Sequence, residues 1–217
     1  MESRAFVEEL EAFVRARLAQ WGEVTALGES AARSADISQL LQLALANEIS
    51  VSELAAIWMP STGEWDIKIA LAEQAGDEAK HFRLVADRLT ALGFALDAFT
   101  PPDENPLFAY LKSLRAPIER IAAGQFTLEL LAYQVNETFI RYCEELGDRE
   151  TVDLYRRVIQ PEERRHHRRG RELLTTYATT AEAQQMAREA AARTIELAAT
   201  VRQHTAERLG TRCFPGC

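Results

Sequence analysis

The stretch Gly76-Asp77-Glu78-Ala79-Lys80-His81-Phe82 sets a carboxylate and an imidazole three residues apart inside a long helical pattern. A second copy, Pro161-Glu162-Glu163-Arg164-Arg165-His166-His167, pairs Glu163 with His166 in the same way. Residues three apart project from one face of a helix, so each pair can grip a metal ion between its two side chains. One such pair arises by chance in any helix rich in Glu. Two of them, in a chain with four His in all, are a signal. On facing helices they can hold two ions.

The rest of the composition agrees with a helical protein of one domain. At 217 residues the chain is long enough to bury a substantial core, and Ala, Leu, Glu and Arg dominate it. The formal net charge of −8 disfavours general binding to nucleic acid or to an anionic membrane. No apolar run approaches the roughly 20 residues of a membrane span. The first residues are acidic and amphipathic and do not read as a signal peptide. Cys143, Cys213 and Cys217 do not make a disulfide framework, and the expectation is a reducing cytoplasm.

Taken in order, residues 2–21 carry Phe6, Val7, Leu10, Phe13, Val14 and Leu18 at helical spacing and form an outer helix. The stretch 22–34 is a connection, and Asp36 is the N-cap of a helix running to about Met59. After the turn Pro60-Ser61-Thr62-Gly63, a third helix covers about 64–92 and stops at Gly93. Residues 94–106, with three prolines, are long enough to cross the bundle or to carry a short lid. A short apolar segment follows at 107–114, and Pro117 opens a helix to about Leu146. Beyond the turn at Gly147-Asp148, a helix over about 149–178 contains Pro161, which predicts a kink just before Glu163. The last helix, about 180–209, is rich in Ala. The pattern predicts an all-α, ferritin-like four-helix bundle over 36–178 with flanking N- and C-terminal helices. A single domain spans 1–212, and 213–217 read as a tail, disordered or redox-active.

Two further carboxylates are expected from the helices without a Glu-x-x-His pair. On the helix 36–59, Glu48 falls in the apolar seam of Ile37, Leu41, Ala44, Val51 and Ala55, while Glu53 points away. On the helix 117–146, Glu129 falls in the seam of Ile118, Ala122, Gln125, Ala132, Asn136, Ile140 and Cys143. Glu48 and Glu78 lie about equally far from their turn, as do Glu129 and Glu163 from theirs, so each hairpin brings its acids to one level. Glu137 would sit about 12 Å along the axis from Glu129, and only a π-bulge would turn it inward. The expected metal ligands, and with them the catalytic residues, are therefore Glu48, Glu78, His81, Glu129, Glu163 and His166.

These residues resemble the ferritin-like di-iron carboxylate superfamily over about 36–178. The run Ile69 to Phe82 is similar to the catalytic subunits of bacterial di-iron oxygenases such as phenylacetyl-CoA epoxidase. In those families an Asp before the Glu holds the His of the facing helix. Asp77 matches that position and Glu162 departs from it. The resemblance implies two Fe ions, with Mn or mixed Mn/Fe as alternatives, which suits a set of oxygen donors and imidazoles. It implies a soluble oxygenase or oxidase that activates O2 to oxidise a small organic or acyl-thioester substrate, with electrons from a separate reductase. A ferroxidase, a peroxide scavenger, or a scaffold serving a partner enzyme would use the same ligands. No paired Cys-x-x-Cys is present, so a rubrerythrin-type module is not expected. An apolar pocket beside the metals would favour the oxygenase. Outer apolar helix faces suggest a homodimer.

Gln125, Tyr133 and Asn136 lie on or near the seam of Glu129, either in core hydrogen bonds or facing a substrate. The run Arg164, Arg165, Arg168, Arg169 and Arg171 is a solvated face or a guanidinium patch for a phosphate or an acidic partner.

Overall fold

The structure is a computed structural model that describes residues 1–26 and 36–216, and of 22–26 the backbone alone. The expected connection at 22–34 thus lies mostly outside the described residues. Seven helices and no strand occur among the described residues. They are α1 (Ser3–Ala26), α2 (Ile37–Trp58), α3 (Trp65–Ala91), α4 (Pro106–Ser113) and α7 (Ala181–Leu209), with two composite helices between the last pair. Helix α5 runs Pro117–Ile121, then as π-helix over Ala122–Leu128, then Glu129–Glu145. Helix α6 runs Arg149–Leu154, π-helix over Tyr155–Ile159, then Gln160–Tyr177.

Local chemistry sets the ends of these helices. Asp36 caps α2 by accepting from the Ser38 backbone N–H at 3.2 Å. Asn105 accepts from Leu107 and Phe108 ahead of α4, with Pro106 in its first turn. Gly147 turns the chain with φ at +75°, where a Cβ would be strained, and Asp148 then caps α6. Arg88 reaches across from α3 to Asp148 at 2.8 Å and to Thr151, which ties the far ends of α3 and α6 together.

Helices α2 with α3, and α5 with α6, form two hairpins that make the bundle, and α1 and α7 lie against its α5–α6 side. The face of α1 read from the sequence is the buried one: Phe6, Val7, Leu10, Val14 and Leu18 are all in the core. The crossover contains a short turn at Leu96–Ala98 and then α4, which packs against α2 and α7. Buried Arg120 joins this crossover to the first hairpin, donating to Leu114 O, Trp58 O and Thr62 Oγ1. Helix α2 alone among the described residues has the length and apolarity of a membrane span, more than the sequence reading allowed. It carries Glu48, and its buried side packs within the bundle.

One expectation is sharpened and one corrected here. Just ahead of Pro161, where a kink was expected, lie five residues of π-helix, and the α-helix resumes at Gln160. A wider turn is one way to accommodate a ring that lacks an N–H and collides with the preceding carbonyl. The tail is not a loose end through residue 216. Phe214 is buried, and Gly216 donates its N–H to Asn136 Oδ1 at 2.9 Å. A Cβ on Gly216 would stand 2.7 Å from Ala132 Cα, so glycine lets the strand of tail lie flat on α5. Cys217 lies outside the described residues.

Candidate metal centre

Four helices bring acids to one level of the bundle. Glu48 comes from the middle of α2, Glu78 and His81 from α3, Glu129 from α5, and Glu163 and His166 from α6. None of the six is more than 4% exposed. Their donor atoms fall into two groups, each with all atoms within 4.8 Å of one another. Glu48, Glu78, His81 and Glu163 make the first, and Glu78, Glu129, Glu163 and His166 the second. Glu78 and Glu163 belong to both. A carboxylate has two oxygens, so each of these can serve both groups at once.

The histidines are aimed from outside. His81 turns Nε2 to Glu162 Oε2 at 2.8 Å and Nδ1 into the first group, 3.2 Å from Glu48 and 3.1 Å from Glu78. His166 turns Nε2 to Asp77 Oδ2 at 3.0 Å and Nδ1 into the second group, 3.2 Å from Glu78 and 3.6 Å from Glu129. A carboxylate can only accept, so each Nε2 carries a proton held by the outer acid, and each Nδ1 is the nitrogen that would bind a metal on losing its own proton. Asp77 thus lies where the resemblance implied, and Glu162 plays the same part despite its different length. The outer layer is reciprocal too. Lys80 binds Glu162 at 2.5 Å and Arg165 binds Asp77 at 2.5 Å, the two cations occupying the same offset in the two copies.

Burying four carboxylates is expensive, of the order of several kcal/mol per ion unless each is compensated. The compensation is incomplete. Glu78 Oε1, Glu129 Oε2, both oxygens of Glu163 and His166 Nδ1 are buried without a hydrogen-bond partner. Protonation reflects this strain. Burial, with Glu78 nearby, pushes Glu48 up to about 8, and burial with Glu129 nearby holds Glu163 well above the usual carboxylate range. Burial opposes the charge of Glu78, but the adjacent imidazoles of His166 and His81 outweigh it and hold that carboxyl low. Burial also opposes a charge on His81, yet Glu48 and Glu78 raise it to about 11. His166 is raised to about 12 against the same burial, first by Asp77. His166, and then Arg165, hold Asp77 down at about 2. Protons and imidazolium charges thus stand where cations would. The unpartnered atoms belong to residues whose donors lie close enough together to hold metal ions.

Helix α5 separates Glu129 from Glu137 by burial, and in an unforeseen way. A π segment is present, but it ends immediately before Glu129, and Glu129 is the buried acid. Glu137 is 37% exposed, accepts from Gln160 Nε2 and faces Arg156 at 3.8 Å. Glu53, as read, is exposed. The close fit of the π segment depends on glycine: a Cβ on Gly170 of α6 would stand 2.7 Å from Phe126 N.

Several neighbours were not read from the sequence. Gln74, one turn before Glu78 on α3, is buried and donates to Glu129; its place in the same seam was the available signal. Tyr155 is fully buried in the π segment of α6 with no partner for its hydroxyl, and burial with Glu48 nearby keeps it well above its ordinary pKa. Of the three polar seam residues, Asn136 is held by the tail, as a core hydrogen bond. Gln125 is buried with Oε1 unpartnered. It lines a cavity of about 320 Å³ with His166, Asp77, Arg165, Arg168 and Arg169. This opening beside the cluster is polar, not the apolar pocket that would have favoured an oxygenase.

The molecule is therefore a helical bundle built around a buried cluster of four carboxylates and two imidazoles, able to hold metal ions. Residues 66–211 match the family described as "Protein of unknown function (DUF455)", and the chain belongs to that family. The matched region includes Glu78, His81, Glu129, Glu163 and His166, while Glu48 on α2 precedes it. No curated protein and no solved structure matches the chain.

Proposed function

We propose that this protein holds two iron or manganese ions and uses them to activate O2 for oxidation of a small polar organic substrate. One observation carries the reading: Glu78 and Glu163 are common to two donor groups, and Glu163 has no hydrogen-bond partner for either oxygen. Glu48 with His81 completes one end of the pair and Glu129 with His166 the other. Hard oxygens and imidazoles favour iron or manganese over metals that prefer thiolate. The resemblance to di-iron carboxylate proteins points the same way. When bound, such a pair supplies the electrons that reduce O2.

The chain's own residues do the rest. Glu162 and Asp77 fix the tautomers of His81 and His166, leaving both Nδ1 atoms free to coordinate. Phe126, Phe139, Tyr155 and Ile159 are fully buried and help keep the bundle interior dry. Gln125 lines the opening next to His166, and its unpartnered Oε1 has acceptor capacity for a substrate that enters there. The same opening is lined by acids as well as bases, Glu73, Asp77 and Glu172 beside Arg165, Arg168 and Arg169, so its charge does not by itself choose between an organic substrate and Fe(II), the alternative use of such a site.

The test is rapid mixing of the Fe(II)-loaded protein with O2. The proposal expects limited oxidation that stops with the bound ions and leads, with substrate present, to an oxygenated product. Repeated turnover of excess Fe(II) into a mineral, indifferent to organic compounds, would replace it with iron handling.

A further inference from the structure

A second and larger cavity lies on the other side of α6, between α1, α5 and α6, with a volume of about 740 Å³. Ligand pockets commonly fall between about 300 and 1,000 Å³. Six arginines line it: Arg15, Arg156, Arg164, Arg165, Arg168 and Arg171. Among the described residues, the acids on its wall are Glu11 and Glu137. In a chain with a net charge of −8 this is a local reversal of sign. A solvated helix face would intersperse acids with its bases, and here it does so incompletely. Arg15 and Arg171 share Glu11 at 2.6 and 3.0 Å, and Arg156 binds Glu144 at 3.0 Å. Arg164 and Arg168, one turn apart on α6, have no carboxylate partner among the described residues. Arg164 lies over the ring of Tyr133 at 5.7 Å, which holds its guanidinium at the cavity wall.

The second observation is a buried polar atom with nothing to bind. Gln160 lines the cavity and is 5% exposed. Its Nε2 is fully used, donating to Tyr133 O at 3.0 Å and to Glu137 at 2.6 Å. Its Oε1 is left without a partner. That orientation fixes Oε1 as an acceptor, so what meets it must carry a hydrogen-bond donor. Inorganic phosphate has only its own P–OH to offer the amide oxygen, from the same group that meets the arginines, whereas an ester's hydroxyls are separate from its phosphate.

We propose that this cavity binds a phosphate ester that also carries hydroxyl groups, a sugar phosphate or a nucleotide in chemical class. The phosphate oxygens meet Arg164 and Arg168, whose planar guanidinium groups suit bidentate contacts, and a hydroxyl donates to Gln160. Arg165 and Arg168 also line the smaller opening beside His166, so the two sites share these arginines. That this ligand is the substrate rests on the proposed dinuclear centre. Its binding does not, and the experiment therefore uses metal-free protein.

Isothermal titration calorimetry at physiological ionic strength, with ribose 5-phosphate and inorganic phosphate as probes, should give one site per chain, with the ester the tighter. Replacing both Arg164 and Arg168 with Gln should weaken both probes by roughly tenfold or more, the scale of lost hydrogen bonds to charged groups. Gln160→Leu should abolish the preference for the ester and spare inorganic phosphate; if that variant melts early, Gln160→Met takes its place. Arg157→Gln, on the outer surface, should change neither. Absence of saturable binding by either probe overturns the proposal, as does equal weakening by Arg157→Gln. Binding lost on metal loading but present without it would refute the link to the cluster alone.

Discussion

Metal loading should expel protons, and the structure sets how many. Near pH 7 the metal-free cluster carries a proton on Glu48, whose carboxyl is pushed up to about 8, and on Glu163, raised well above its ordinary value. His81, at about 11, and His166, at about 12, are each doubly protonated. A metal accepts only deprotonated carboxylates and neutral imidazoles. Filling both positions therefore releases about four protons per chain, or about two per ion. Apparent affinity should then fall by roughly a hundredfold for each pH unit of acidification near neutrality. The stability of the metal-free protein has the opposite slope. All four groups bind protons more tightly folded than unfolded, so their stabilisation is greatest at low pH. It is lost as pH rises beyond the unfolded values of 4.5 for the acids and 6.5 for the imidazoles, towards the folded ones. The assay is calorimetric titration of Fe(II) or Mn(II) in buffers of different ionisation enthalpy, which counts protons directly. Fewer than about one proton per chain, or a metal-free melting temperature that climbs between pH 7 and 8, would refute the reasoning.

Other substitutions separate the roles of single residues. Glu163→Gln removes a charge that burial and Glu129 already disfavour in the metal-free protein, so its melting temperature without metal should change by no more than a few degrees. Elemental analysis should show the loss of at least one ion. Glu162→Gln and Asp77→Asn should each weaken metal binding by roughly 10- to 100-fold, because they release the histidine of the facing helix; unchanged affinity in both would make these acids mere surface groups. Gly170→Ala should destabilise the fold by about 1–3 kcal/mol, since its Cβ would collide with the backbone at Phe126. Gly76→Ala, which meets nothing within 4 Å, should instead stabilise it by about 0.5–1 kcal/mol through helix propensity. Thermal and urea unfolding measure both.

The bundle and its flanking helices were legible because apolar seams at helical spacing and well-placed caps leave little choice. The six cluster residues were likewise marked by period and depth, since an acid in an apolar seam stands out. The π segments were not legible as such. A wheel drawn at constant pitch puts part of 120–132 on a solvent side, whereas the structure buries every one of those residues. What accompanies the wider turn is tertiary, the close approach of Gly170 to the backbone of α5. The docked tail escaped for a related reason: Phe214 and Gly216 are short local signals whose partners, Asn136 and Ala132, lie far away in the chain. Gln74 and Gln125 were ambiguous, because an amide in a seam can serve the core or the site, and only the bonds they make distinguish the two.

The central claim is that two ions sit between the helices, joined by Glu78 and Glu163. Anomalous X-ray scattering at the iron edge, from crystals of Fe(II)-loaded protein, tests it most directly. Two peaks about 3.5–4 Å apart are expected, one among Glu48, Glu78, His81 and Glu163 and the other among Glu78, Glu129, Glu163 and His166. A single peak, peaks elsewhere, or a pair that leaves Glu163 unbound would contradict it.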